Sequence, residues 1–125
     1  MTGGLGLLSG RRILVVEDEY FIADEVASEL RAAGAQVVGP YPSVDRAYRG
    51  LASQPGAIDA AVLDVNLAGL SSAELIRRLR DETIPVLLAT GYDAASLEVD
   101  LKALPRVEKP CSTIVLLERL ASLLH

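Results

Sequence analysis

The chain has no tryptophan, one phenylalanine and four tyrosines in 125 residues, so any core must be aliphatic and rich in alanine. A single cysteine, Cys111, excludes an internal disulfide and suits a reducing compartment, the cytoplasm. Lysine and arginine number 12 against 17 acids, a formal net charge of −5, which leaves no basic footprint for nucleic acid. No apolar run approaches the roughly 20 residues of a membrane span. The opening "MTGGLGLLSGRR" places its basic residues after its apolar patch, the reverse of a secretory signal. No G-x-G-x-x-G follows the first apolar run, which excludes a dinucleotide-binding turn. Half of the residues are nevertheless hydrophobic, too many for disorder, and the length suits one domain with a real core. Residues 1–10 read as a frayed N-terminal tail and 11–125 as the folded domain.

Short apolar runs alternate with segments of helical period. "RILVV" (12–16), "AQVVG" (35–39, closed by Pro40 and Pro42), "IDAAVLD" (58–64) and "IPVLLAT" (84–90) read as strands. A short apolar piece near Val107 completes the set. "YFIADEVASELRAAG" (20–34) puts Ile22, Val26, Leu30 and Ala33 on one helical stripe, and Gly34 is a natural stop. "SVDRAYRGLAS" (43–53) opens on Ser43 as a cap. "SSAELIRRLRDE" (71–82) carries a capping box, Ser71 with Glu74, and "TIVLLERLASLL" (113–124) is a final amphipathic helix. Repeated strand–helix alternation predicts an α/β fold: a doubly wound parallel sheet with helices on both faces. Five strands fit the flavodoxin-like order 2-1-3-4-5, in which ligands bind beyond the carboxyl ends of the strands.

Those carboxyl ends share a chemistry. The first strand ends in Glu17-Asp18, the third in Asp64, the fourth in Thr90, and the piece near Val107 in Lys109-Pro110. In the expected order these ends are neighbours, so carboxylates, a hydroxyl and an amine surround one crevice. Clustered acids repel, and burial raises the cost of ionising them. A hard divalent cation removes the conflict, and an all-oxygen ligand set favours Mg²⁺. Asp64 then becomes a carboxylate nucleophile able to form an aspartyl phosphate. Thr90 supplies a hydrogen bond to the phosphoryl oxygens and Lys109 a point charge, while Gly91 leaves room for the group to approach. Glu19 opens the first helix and reads as a cap rather than a ligand.

With "ILVVEDE", "AAVLDVNLAG", "LLATG" and "EKP" in this order and spacing, the chain resembles a response-regulator receiver domain of two-component signalling from about Arg12 to Leu124. The resemblance implies that Glu17 and Asp18 are the acidic pair, with Asp18 a direct ligand of Mg²⁺ or Mn²⁺. It implies that Asp64 is the phosphoacceptor and also a ligand, and that Asn66 offers a backbone carbonyl to the metal. Thr90 and Lys109 match the switch hydroxyl and the phosphate-binding lysine, and a cis peptide is implied between Lys109 and Pro110. The implied partners are a histidine kinase or histidine phosphotransfer protein and a downstream protein, with no direct DNA or membrane binding. The implied setting is the bacterial cytoplasm, with self-catalysed phosphotransfer and no independent substrate.

The chain departs from the family pattern at several places. Glu17 replaces the commoner Asp, Ala68 a Pro, and Cys111 a frequent Phe. Arg106, three residues before Lys109, stands where receivers commonly carry the aromatic that moves with the threonine. "GYDAASLEVDLKALPRVE" is short for a fourth helix and a fifth strand, and its Leu97, Val99 and Leu101 alternate with period two. "LATGYD" resembles single-domain receivers marked by a Phe-Ala-Thr-Gly motif, with Leu88 at the Phe position; Tyr92 is then the aromatic placed to modulate the switch. The initiating Met favours a stand-alone receiver. Open beside it are a degenerate receiver acting as a phosphate-independent binding module, a receiver cut from a hybrid histidine kinase, and an aspartyl-phosphate phosphohydrolase. The last would want a second Asp where Asn66 stands. The apolar surplus of the final helix also allows a homodimer through the 91–124 face.

Overall fold

The computed structural model describes residues 6–53, 56–64, 72–90, 106–108 and 113–124. Five strands, β1 (Arg12–Val16), β2 (Gln36–Tyr41), β3 (Ala60–Asp64), β4 (Val86–Thr90) and β5 (Arg106–Glu108), form one sheet in the order β2-β1-β3-β4-β5, and every pairing is parallel. Among the described residues the helices are α1 (Tyr20–Ala32), α2 (Val44–Ser53), α3 (Ser72–Asp81) and α4 (Thr113–Leu124). The doubly wound α/β architecture expected from the strand–helix alternation is the one observed.

The alternation of side chains along the strands assigns each helix to a face. Ile13, Val15, Ala60, Val62, Leu87 and Ala89 share a cluster with Val26 and Leu30 of α1 and Leu116, Leu117 and Leu120 of α4. The intervening residues Leu14, Val16, Ala61, Leu63, Val86 and Leu88 pack with Val44 and Ala47 of α2 and with Leu75, Ile76 and Leu79 of α3. Strands buried on both faces explain the unbroken aliphatic runs, and all five residues of β3 are buried.

Local signals account for the boundaries. The Ser43 hydroxyl accepts a hydrogen bond from the Arg46 backbone N–H at 3.2 Å, so the expected cap of α2 is present. β4 starts at Val86 rather than residue 84, because Pro85 has no N–H to give the ladder, although its carbonyl accepts from Ala61 at 3.0 Å. At the opposite end of the sheet from the acids, the Asp59 carboxylate accepts the Arg12 N–H at 2.8 Å and tethers the starts of β1 and β3.

Two expectations need correction. The sequence pattern closes β2 before Pro40; the strand in fact runs through Pro40 to Tyr41, with a cis Gly39–Pro40 peptide and a register shift against β1 between Leu14 and Val16. An edge strand tolerates proline because its outer N–H groups have no ladder partner, and the irregularity absorbs the rest. On α1 the expected stripe holds, with Val26, Leu30 and Ala33 buried and Ile22 packed partly buried against them, but the face is wider than expected and takes in Ala23 and Ala27.

The second correction concerns the N terminus, where residues 6–10 are not a frayed tail. Leu8 is fully buried against α1 and α4, its N–H donates to the Ala33 carbonyl at 2.9 Å, and the Gly10 N–H donates to the Gly34 carbonyl at 3.1 Å. Gly34 has φ +93°, the left-handed stop expected after α1, and Ser9 Cα lies 2.9 Å from where a Cβ would stand. A glycine is therefore needed there both for its conformation and for its lack of a side chain.

Candidate functional site

Parallel registry brings the strand ends together. Val16 of β1 pairs with Leu63 of β3, so the next residues, Glu17 and Asp64, emerge side by side at the carboxyl edge. Asp64 itself pairs with Ala89 of β4, one residue before Thr90, and Thr90 pairs with Glu108 of β5. The sheet thus lines up Glu17, Asp64, Thr90 and the residue preceding Lys109 along one edge, in the sequence of neighbours that the expected topology requires.

Glu17 and Asp64 are the two buried charged side chains among the described residues, each only 6% exposed. Glu17 follows the last residue of β1 and Asp64 is the last of β3, so the hydrophobic packing of both strands carries their carboxylates into the mouth of the core. Asp18 and Glu19 are exposed. One carboxylate oxygen each from Glu17, Asp18 and Glu19 lies within 4.8 Å of the others. Asp64 emerges beside Glu17 at the end of the neighbouring strand.

Glu19 takes the cap position expected of it. It occupies the N-cap position of α1 with extended backbone, φ −86° and ψ 111°, yet its side chain makes no cap hydrogen bond. Its carboxylate joins the acidic group instead. Nothing in the sequence separates these uses, since an acid before a helix suits either.

Backbone positions are described for Thr90 and Arg106, at the end of β4 and the start of β5, where Arg106 pairs with Leu88. Asn66, Ala68, Ser71, Gly91, Tyr92, Lys109, Pro110 and Cys111 lie outside the described residues, as does most of the 91–124 face. The cis peptide expected at Lys109–Pro110 lies there too.

Beside the acids, two aromatics face solvent. Tyr20 is 74% and Phe21 84% exposed, and their rings meet edge to face with centroids 5.6 Å apart. They open α1 directly after Glu19, off the buried stripe of that helix, so helical periodicity already implies their exposure.

A five-stranded parallel sheet in this order, with paired acids after β1 and a buried aspartate ending β3, defines a receiver domain. The chain belongs to that family, since the model of the response regulator receiver domain matches residues 13–121. It is similar to the sensory transduction protein RegX3 of Mycolicibacterium smegmatis, 35% identical over 119 residues, 90% of this chain and 50% of the relative. The chain therefore spans about half the length of the curated relatives it matches. Among solved structures it is similar to SdrG of Sphingomonas melonis Fr1, with 32% identity, 98% of each chain covered and a TM-score of 0.76. It is also similar to the response regulator TrrA of Thermotoga maritima, solved in complex with Mg²⁺-BeF, with 26% identity, 91% and 99% covered and a TM-score of 0.76. Among the described residues no helix is long and apolar enough to cross a membrane.

The donor set fits a magnesium ion. Glu17 and Asp18 bring carboxylate oxygens within 4.8 Å of each other, buried Asp64 emerges beside Glu17 on the neighbouring strand, and none of the three offers nitrogen or sulfur. Like charges held this close repel, and a hard divalent cation with oxygen ligands is the partner that relieves them.

Proposed function

We propose that the chain is a phosphorylation-dependent receiver that takes a phosphoryl group from a phosphohistidine onto Asp64. The observation that carries this reading is the buried Asp64 beside Glu17 at the edge of adjacent strands, with Thr90 one residue past Asp64's partner on β4. An Asp64 carboxylate oxygen would attack phosphorus. A P–O bond forms, the P–N bond to the donor imidazole breaks, and its electron pair returns to the ring nitrogen, which takes up a proton. Glu17 and Asp18 would hold Mg²⁺, with Asp64 and the Asn66 carbonyl completing the set, and the ion would offset the charge on the phosphoryl oxygens. Thr90 and Lys109 would receive the group by hydrogen bond and charge, and Gly91 would leave it space. The product is an acyl phosphate whose role is to shift the domain between two conformations and so change its protein contacts. The Mg²⁺-BeF complex of TrrA supports the choice of metal.

Beryllofluoride, an acyl-phosphate mimic, tests this reading without a cognate kinase. With Mg²⁺ present, the amide resonances of Glu17, Asp64 and Thr90 are expected to shift to saturation. If they stay in place at millimolar mimic, the chain works instead as a phosphate-independent binding module.

The exposed Tyr20–Phe21 pair stands beside the acids, where a protein phosphodonor has to approach. Exposed aromatics flanking a reaction centre suit a protein partner better than a small one. Tyr20→Ala/Phe21→Ala is expected to slow transfer from a phosphorylated histidine phosphotransfer protein about tenfold, the effect of losing roughly 1.4 kcal/mol of contact. Phosphorylation by a small phosphoramidate should be unchanged. Equal slowing with both donors would place the aromatics in the fold rather than at the interface.

A further inference from the structure

We propose that Tyr41, seated on Gly50 of α2, is a positioning residue for the acidic pair, an inference that rests on the metal-binding reading above. The backbone connection is direct. The register shift in β2 pairs Tyr41 with Val16, and the Tyr41 carbonyl accepts the Glu17 N–H at 2.9 Å. That bond extends the ladder one residue beyond β1 and fixes the backbone of Glu17 where its side chain enters the acidic group.

Two glycines make this placement possible. Gly39 has φ +103°, and a Cβ there would stand 2.8 Å from the Tyr41 nitrogen and 3.0 Å from the Val15 carbonyl oxygen. Nothing larger than glycine lets β2 shift its register at that point. Gly50 is buried within α2, an unfavourable place for glycine relative to alanine. The ring end of Tyr41 explains it: a Cβ on Gly50 would fall inside the Tyr41 Cζ and hydroxyl contact distance. The helix thus has a notch that receives the ring, the ring anchors the end of β2, and the carbonyl of that residue holds Glu17. Tyr41 touches neither metal nor substrate and acts only through the Glu17 backbone.

Gly50→Ala should push the ring out of the notch. The expected result is exchange of the Glu17 amide hydrogen about tenfold faster and Mg²⁺ affinity about tenfold weaker, the size usual for losing a residue that supports a metal ligand. Affinity is read by titrating the apo protein with Mg²⁺ and following amide resonances. Tyr41→Ala should produce the same two changes and Tyr41→Phe neither, because phenylalanine keeps the ring that anchors the end of β2. The Gly50→Ala/Tyr41→Ala double variant should be no worse than Tyr41→Ala, since both act through one side chain. If Gly50→Ala does not fold, the contrast of Tyr41→Ala with Tyr41→Phe reads the same effect. Lowered thermal stability with Glu17 exchange and Mg²⁺ affinity both at wild-type values overturns the proposal and leaves the notch as packing alone. Failure of the wild-type protein to bind Mg²⁺ overturns the metal reading, and the exchange of the Glu17 amide, which needs no metal, still decides whether Tyr41 positions it.

Discussion

Asp64→Asn is expected to lower phosphoryl incorporation from a small phosphoramidate by a factor on the order of 10³ or more, the scale of removing a covalent nucleophile. Asparagine keeps the shape of the side chain and can still accept hydrogen bonds, so the packing of β3, buried along its whole length, should be intact. The amide nitrogen is not a competent nucleophile and the amide oxygen lacks the charge. Thermal stability should be unchanged or raised, because Asp64 emerges beside Glu17 and the substitution removes one of two neighbouring buried negative charges. A variant that is folded, as judged by amide resonances, yet still phosphorylated at near wild-type rate would move the acceptor to another residue.

Leu8→Ala is expected to destabilise the domain by about 2–5 kcal/mol, the range for truncating a buried leucine. Leu8 is fully buried in the cluster formed by α1, α4 and one face of the sheet. Its turn is held by the Leu8 N–H on Ala33 and by the Arg11 N–H on the Leu8 carbonyl at 3.0 Å. Arg11 extends the tie, with its guanidinium 3.4 Å from the Leu124 carbonyl at the end of α4 and 3.9 Å from the Asp59 carboxylate. The exposed neighbour Ser9 gives the control, for Ser9→Ala should change stability by less than about 0.5 kcal/mol. Urea unfolding of the two variants separates an anchored turn from a loose tail, which would make both substitutions neutral.

The N-terminal turn also marks the limit of what sequence pattern can tell. "MTGGLGLLSG" offers scattered leucines among glycines with neither period, so no pattern tells whether Leu8 reaches a core. Only the place where α1 ends, with Gly34 opening a gap for Ser9, decides it. Pro40 misleads for a related reason: proline ends most strands, and tolerance depends on β2 being an edge strand with a shifted register, which is a property of the sheet. Glu19 suits either a cap or a place beside the acids, and the choice rests on side-chain direction. By contrast, topology and the placement of Glu17, Asp64 and Thr90 are legible, because each strand is a clean aliphatic run and parallel registry sets which residues emerge together at the carboxyl edge. Tyr41 leaves no trace in the sequence as a functional residue, because its influence passes through a backbone carbonyl and a glycine on another helix.

Phosphorylation of Asp64 is tested most directly by the intact mass of the wild-type protein and of Asp64→Asn after incubation with a small phosphoramidate, with Mg²⁺ or with a chelator. The expected result is one added phosphoryl group on the wild type with Mg²⁺, none with chelator, and none on Asp64→Asn under either condition. An adduct that persists in Asp64→Asn, or that forms equally without a divalent ion, would contradict a metal-dependent aspartyl phosphate at this site.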